Sequence, residues 1–231
     1  MIVRLLPLVN ADPYAACVPK TPGRLGRPPS SSSLDTRVRI IEIAVRAYAE
    51  LGYEATTNKF IAAKAGITTG ALYHYFDSKI LMYRAAYEHV QAEIYERFAV
   101  ALDGVEGFIA RLEAVLEAAH VLNSEEPSLA RFIGAARVDM ARHDDLRSGL
   151  GQPSAQGYTF FDTLIDEGIA AGELDASQRS LIRAFIRTIV VGLTDGASDD
   201  NDRHRMAVDA VRSAIEGRLF ASTGTPHSGF R

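Results

Sequence analysis

The chain is short of the features from which catalytic, disulfide-stabilised and membrane functions are read. Its 231 residues include one cysteine, Cys17, which excludes an intramolecular disulfide, paired CxxC motifs and cysteine-rich zinc modules. No stretch approaches the roughly 18 uninterrupted apolar residues of a membrane span, so an integral membrane protein is excluded and a cytoplasmic location is expected. The histidines (His74, His89, His120, His143, His204, His227) form neither HExxH nor i,i+4 pairs, so no metal site is read. There is no GxSxG elbow and no P-loop. Gly149-Leu150-Gly151 begins like a dinucleotide fingerprint, but no strand precedes it and Pro153 interrupts it. Asp195, Asp199, Asp200 and Asp202 lack the glycine and terminal glutamate of a calcium loop. No cofactor is expected, and the chain is not expected to be an enzyme. A helical enzyme or small-molecule carrier with a coincidental DNA-binding motif is the alternative.

Lysine is also missing from most of the chain. All four lysines (Lys20, Lys59, Lys64, Lys79) precede residue 80. Residues 1–79 carry 10 Lys+Arg against 6 Asp+Glu, and residues 80–231 carry 15 against 23. The net charge of −4 thus conceals a basic front and an acidic back, as expected of a polyanion-facing module joined to one that faces something else.

Residues 1–34 read as a flexible arm. The apolar start is broken by Pro7, Asn10, Asp12 and Pro13, too soon for a secretory signal. Pro19 to Ser33 is rich in proline, glycine and serine, a composition that cannot bury enough apolar surface to order itself. Its Arg24-Leu25-Gly26-Arg27-Pro28-Pro29 reads either as a solvated tail or as an arm for a narrow minor groove.

From Asp35 the pattern is helical. Val38, Ile41, Val45 and Tyr48 form an apolar stripe opposed by Arg37, Arg39, Glu42, Arg46 and Glu50. Asp35 or Thr36 is the expected cap, and Gly52 the expected left-handed terminator. A second short helix is expected after the cap Thr57, and a third from Thr69 through Phe76 after the turn Ala65-Gly66-Ile67-Thr68. Two short helices joined by a tight glycine turn, the second small and polar outside, suit insertion into a major groove.

Gly52-Tyr53, Thr56-Thr57, Ile61-Ala62, Ala65-Gly66-Ile67-Thr68, Gly70, Leu72-Tyr73-His74-Tyr75-Phe76 and Ser78-Lys79 together resemble the DNA-binding domain of the TetR family of transcriptional regulators. Ile80 departs from the acidic residue usual there, and Asn58 from a plain aliphatic one. The resemblance implies a dimeric repressor released by a small-molecule effector. It implies phosphate contacts from Thr57, Tyr73 and Lys79, residue types that suit an anion. Lys59 reads as a phosphate or guanine contact, and Thr69, Gly70, Ala71 and His74 as base readers. Asn58 and Thr68 complete the set.

Beyond Ser78 the chain reads as helices at about 78–102, 105–122, 128–142, 154–171, 177–197 and 202–220, with Asp175 and Gln178 resembling a capping box. The expected fold is all-α: an arm (1–34), a helix-turn-helix domain (35–82) and a helical effector-binding and dimerisation domain (83–231). Phe185, Ile189, Val211 and Ile215 are expected to meet a second copy, which would place two reading heads on a palindromic operator in double-stranded DNA. An effector cavity is expected among Phe132, Met140, Tyr158, Phe161 and Phe185, with His120, Arg137 and Asp162 as its polar members.

Overall fold

The computed structural model describes residues 31–149, 155–196 and 200–221. The Cys17 segment and the Arg24–Pro29 arm lie outside the described residues. Every regular element among those described is helical: α1 (Ser31–Ala55), α2 (Asn58–Lys64), α3 (Thr69–Leu72), α4 (Lys79–Ala101), α5 (Phe108–Glu125), α6 (Pro127–Arg142), α7 (Asp144–Gly149), α8 (Ala155–Ala170), α9 (Arg179–Gly196) and α10 (Asn201–Ile215). The all-helical expectation is met.

Helix α1 starts at Ser31, four residues before its expected cap, so Asp35 and Thr36 lie within the helix. Ile41, Val45 and Tyr48 face inward as the stripe requires, whereas Val38 is exposed. At the other end Gly52 takes φ 76° and breaks the regular path, a conformation open to glycine because it has no Cβ. The turn is then locked by Thr56, whose buried hydroxyl donates to Gly52 O at 2.8 Å and Ala47 O at 3.2 Å. Helix α6 opens with Pro127 in its first turn, where the missing N–H costs nothing. Asp175 accepts from Ser177 N at 2.8 Å and opens a 3-10 turn (Ala176–Gln178) rather than an α-helical capping box. Helix α7, between α6 and the Gly149–Pro153 break, has no counterpart in the sequence reading; six residues are too few to display a period.

The interior is divided unequally. One large core gathers Ile40, Ala44, Tyr48, Ile61, Leu72 and Phe76 with Met82, Tyr83 and Val90 of α4, and takes in Phe132, Ala136 and Met140 of α6. Helix α6 therefore lies against α1, and packing is continuous across residue 82. Two smaller clusters occupy the rest: Phe108, Leu112, Leu164, Ile165 and Ile186, and Leu116, Ile189, Leu193 and Val208.

Of the residues expected to meet a second copy, Ile189 is buried within its own chain, and Val211 and Ile215 are half-buried against that second cluster. The apolar side chains of α9 left outside are Leu181 and Phe185, 69% and 46% exposed.

Candidate nucleic-acid interface and helical cavity

Each short helix of the reading head is started by a side-chain cap. Thr57 Oγ1 accepts from Phe60 N at 3.1 Å, Thr68 Oγ1 from Ala71 N at 3.1 Å, and Ser78 Oγ from Leu81 N at 3.2 Å. Gly66, at φ 68°, turns the chain between the first two. Ile61, Ala62 and Leu72 anchor α2 and α3 from beneath. Helix α3 is one turn long rather than running to Phe76. After Leu72 the chain tightens, with His74 N bonded to Ala71 O and Tyr75 N to Leu72 O, because Phe76 must fold back into the core.

The candidate DNA contacts all reach the surface. Thr57, Lys59, Thr68, Gly70, Tyr73 and His74 are exposed, and Asn58, Thr69, Ala71 and Lys79 are partly exposed. Asn58 Nδ2 donates to the Tyr73 hydroxyl at 3.1 Å, tying α2 to the end of α3 and fixing where the phenol points. Lys79 is held from two sides: its ammonium donates to Glu54 O at 3.2 Å and lies 4.3 Å from the centre of the Tyr53 ring. Burial lowers its pKa from the ordinary lysine value, while Glu54 and Asp139 act in the opposite sense.

A residue absent from the sequence reading organises this corner. Asp139 of α6 is buried, and its Oδ2 accepts both from Tyr53 N and from the Tyr83 hydroxyl, each at 3.0 Å. Tyr83 stacks edge-on against Tyr48, Tyr53 and Phe132, with centroids 4.6, 5.2 and 5.3 Å away. Burial and the neighbouring carboxylate push its phenol well above the ordinary tyrosine range, so it stays a donor. One carboxylate thus joins α6, α4 and the last turn of α1, which carries Lys79's aromatic support.

On the other side α6 borders open space. A cavity of about 210 Å³ lies among α4, α6, α8 and α9, and Arg137, Met140, Phe161 and Asp162 line it as expected. The other expected members are not gathered there. Phe132 is fully buried in the aromatic core, because its face of α6 meets α1 and α4. Phe185 points outward on α9. His120 instead pairs with His204 of α10, Nδ1 to Nδ1 at 3.2 Å. The Tyr158 side chain lies outside the described residues. Gln91, Arg183 and Arg187 also line this cavity. A polar residue on an apolar helix face carried the Gln91 signal, but α4 was read only for its stripe.

Nearby, Glu117 accepts from Arg205 at 2.6 and 2.8 Å and from Arg212 at 3.2 Å. Its carboxyl pKa is lowered to about 2, chiefly by the Arg205 hydrogen bonds. Among the described residues no group of three or more His, Cys, Asp or Glu is placed to hold a metal, and no helix is long and apolar enough to cross a membrane.

Residues 40–86 match the family model for bacterial regulatory proteins of the tetR family. The nucleoid occlusion factor SlmA of Shewanella woodyi is 24% identical over 173 residues, covering 69% of this chain and 87% of that protein. The HTH-type transcriptional repressor KstR2 of Rhodococcus jostii is 46% identical over 50 residues, 22% of this chain and 24% of that one. In fold, the chain is similar to a TetR-family transcriptional regulator from Rhodococcus sp., with TM-score 0.69 and 19% identity over 80% of this chain and 99% of that one. It is also similar to FadR of Bacillus subtilis, solved in complex with stearoyl-CoA, with TM-score 0.66 and 22% identity over 79% and 97%.

Proposed function

Because the chain is a TetR-family transcriptional regulator, we propose that it works as a cytoplasmic homodimeric repressor. Its two reading heads bind a palindromic operator and let go when a small molecule occupies the helical half. Thr57, Tyr73 and Lys79 hold phosphates, Lys59 a phosphate or a guanine edge, and Thr69, Gly70, Ala71 and His74 read bases, with Asn58 and Thr68 setting their positions. A one-turn recognition helix reaches only a few base pairs, so specificity rests on two half-sites held a helical turn apart.

The observation that carries ligand control is the double duty of α6. Asp139 grips the end of α1 and the helix α4 that position Lys79, while Arg137 and Met140, its neighbours on the same helix, line the cavity. A ligand that moves α6 therefore moves the Tyr53–Lys79 corner. Only differential affinity for the two conformations shifts the balance, and a 100-fold loss of operator affinity needs about 2.7 kcal/mol of coupling. The complex of the similarly folded FadR with stearoyl-CoA supports control by a small ligand. The match to SlmA favours a second reading, a DNA-binding factor in nucleoid occlusion; the cavity at α6 favours the first.

The test is a salt titration of binding to a duplex selected from random DNA. Affinity should fall steeply with salt. Lys79→Ala should weaken binding on every sequence and flatten the slope by about one unit per subunit. Phe185→Asp, which alters a surface residue of α9 without touching the core, should give monomers with a much weakened hold on the operator. A variant Lys79→Ala with unchanged salt dependence refutes the phosphate assignment, and a dimeric Phe185→Asp moves the interface elsewhere.

A further inference from the structure

Cations in the reading head and in the helical half are held by different means. In the helical half carboxylates hold them: Arg205 lies 2.6 Å from Glu117, Arg179 2.7 Å from Asp166 and Arg97 2.9 Å from Glu125. In the reading head aromatic rings do so. Arg37 stands 5.0 Å from the centre of the Phe76 ring, Lys64 5.6 Å from that of Phe60 and Lys79 4.3 Å from that of Tyr53. A carboxylate cancels the charge it fixes in place, whereas a ring face fixes a cation and leaves its charge to act on another anion. Lys79 is already assigned to a phosphate, and Lys64 closes α2 at the end away from its cap Thr57. Arg37 has no role yet.

Arg37 is exposed, and one helical turn further on Ile40 and Ile41 are buried. Its side chain therefore starts at the rim of the large core and reaches over Phe76. Phe76 is itself buried, and its N–H closes the turn after α3 by donating to Leu72 O at 3.1 Å. Two residues on, Ser78 caps α4 and Lys79 begins it. The ring thus seats the guanidinium beside the connection between α3 and α4. With α3 inserted in a major groove, that connection leaves at the groove's edge, where the phosphate backbone runs. A guanidinium stacked by its face keeps its N–H edge turned outward, in the fork that fits a phosphate. Asp35 and Asp77, exposed nearby in the chain, are screened by water and hold a guanidinium only weakly.

We propose that Arg37, seated on Phe76, is a further phosphate contact, made from α1. It widens the phosphate track of each half-site beyond α2, α3 and the start of α4. The assignment rests on the reading of α3 as the recognition helix, and it adds one contact per subunit that carries no sequence preference of its own. Helical geometry supplies the control. Arg39 is also exposed on α1, but two residues turn it about 200° around the axis, away from Phe76.

Fluorescence anisotropy of the full-length protein, titrated with salt on a duplex selected from random DNA, tests the contact. Arg37→Gln should weaken binding about five- to tenfold, on the selected and on an unrelated duplex alike, and flatten the salt slope by about one unit per subunit. Arg37→Lys keeps the charge and loses the planar fork, so it should restore the slope and only part of the affinity. Arg39→Gln should stay within about twofold of the wild type. Ethylation of single phosphates should block the wild type at one more position per half-site than Arg37→Gln, and circular dichroism would check that the variants fold. Wild-type affinity and slope in Arg37→Gln overturn the proposal. So does an equal loss in Arg39→Gln, which would show a diffuse attraction instead of a seated contact. The Lys79→Ala titration separates this proposal from the reading beneath it. A slope flattened in Lys79→Ala but unchanged in Arg37→Gln removes Arg37 alone, and a slope unchanged in both removes the phosphate assignment of the whole connection.

Discussion

The two faces of α6 look into interiors of different quality. Toward α1 and α4 it contributes Phe132 to a dense aromatic cluster in which Tyr48, Tyr53 and Tyr83 interlock edge to face. Toward α8 and α9 it borders two cavities whose walls include arginines and an unsatisfied amide. The reading head is thus built to hold one arrangement, because a close-packed core tolerates little displacement. The helical half keeps empty space that a ligand can claim, and space of that kind lowers the cost of rearrangement. A single helix shared by a stiff interior and a compliant one turns occupancy on one side into displacement on the other.

Truncation on either side of α6 tests that contrast most strongly. Phe132→Ala removes a fully buried ring from the aromatic cluster and should cost about 3–5 kcal/mol. Phe161→Ala removes a ring that already borders empty space and should cost less than half as much. Urea melts of both variants give the comparison, and equal losses would mean that the two interiors do not differ.

A smaller effect is expected at Asp139. Its removal in Asp139→Ala leaves the buried Tyr83 hydroxyl without an acceptor, at about 1–3 kcal/mol, while the half-buried Tyr53 N–H can turn to water. Asp139→Asn keeps an oxygen where both bonds are received and should restore most of that stability. Operator affinity measured beside the melts should follow the same order, wild type above Asn above Ala. An alanine variant with wild-type stability and DNA binding would remove Asp139 from the link between the halves.

The smallest effect should come from acid. His120 and His204 stack with Nδ1 atoms 3.2 Å apart, and the pKa of each is lowered, chiefly by burial. Neutral rings can share one hydrogen bond, one donating and the other accepting. As pH falls below about 6.5, the unfolded chain takes up protons that the folded pair resists. Stability from this pair is therefore complete above pH 6.5 and lost as pH falls through the lowered folded values. Wild-type stability between pH 7.5 and 5 should drop more steeply than that of His204→Phe. Parallel curves would show that the pair does not contribute.

The reading head was legible because its signals are local. Thr57, Thr68 and Ser78 each cap a backbone N–H three residues on, and Gly52 and Gly66 mark turns where they stand. What escaped the sequence depends on distance. Asp139 meets Tyr53 and Tyr83 across 86 and 56 residues, and His120 meets His204 across 84; no periodicity records such pairings. Four of the expected cavity residues line the cavity because α6 and α8 face it. Phe132 does not, because an aromatic on an amphipathic helix has the same spacing whether it lines a space or fills one. The shortness of α3 was hidden for a similar reason: Phe76 keeps helical spacing from Leu72 although the backbone between them tightens into a turn.

The continuity of packing across residue 82 sets a rule for anyone recombining this protein. Regulators of this architecture invite the construction of hybrid sensors, with one protein's reading head joined to another's effector domain at the start of the long connecting helix. Here such a junction would strip Phe132, Ala136 and Met140 from the wall that encloses Ile40, Ala44 and Tyr48. A graft that respects the molecule must carry α6 with the head, or redesign both sides of that seam together. The unit that can be exchanged as a block is a structural one, assembled from stretches far apart in the chain.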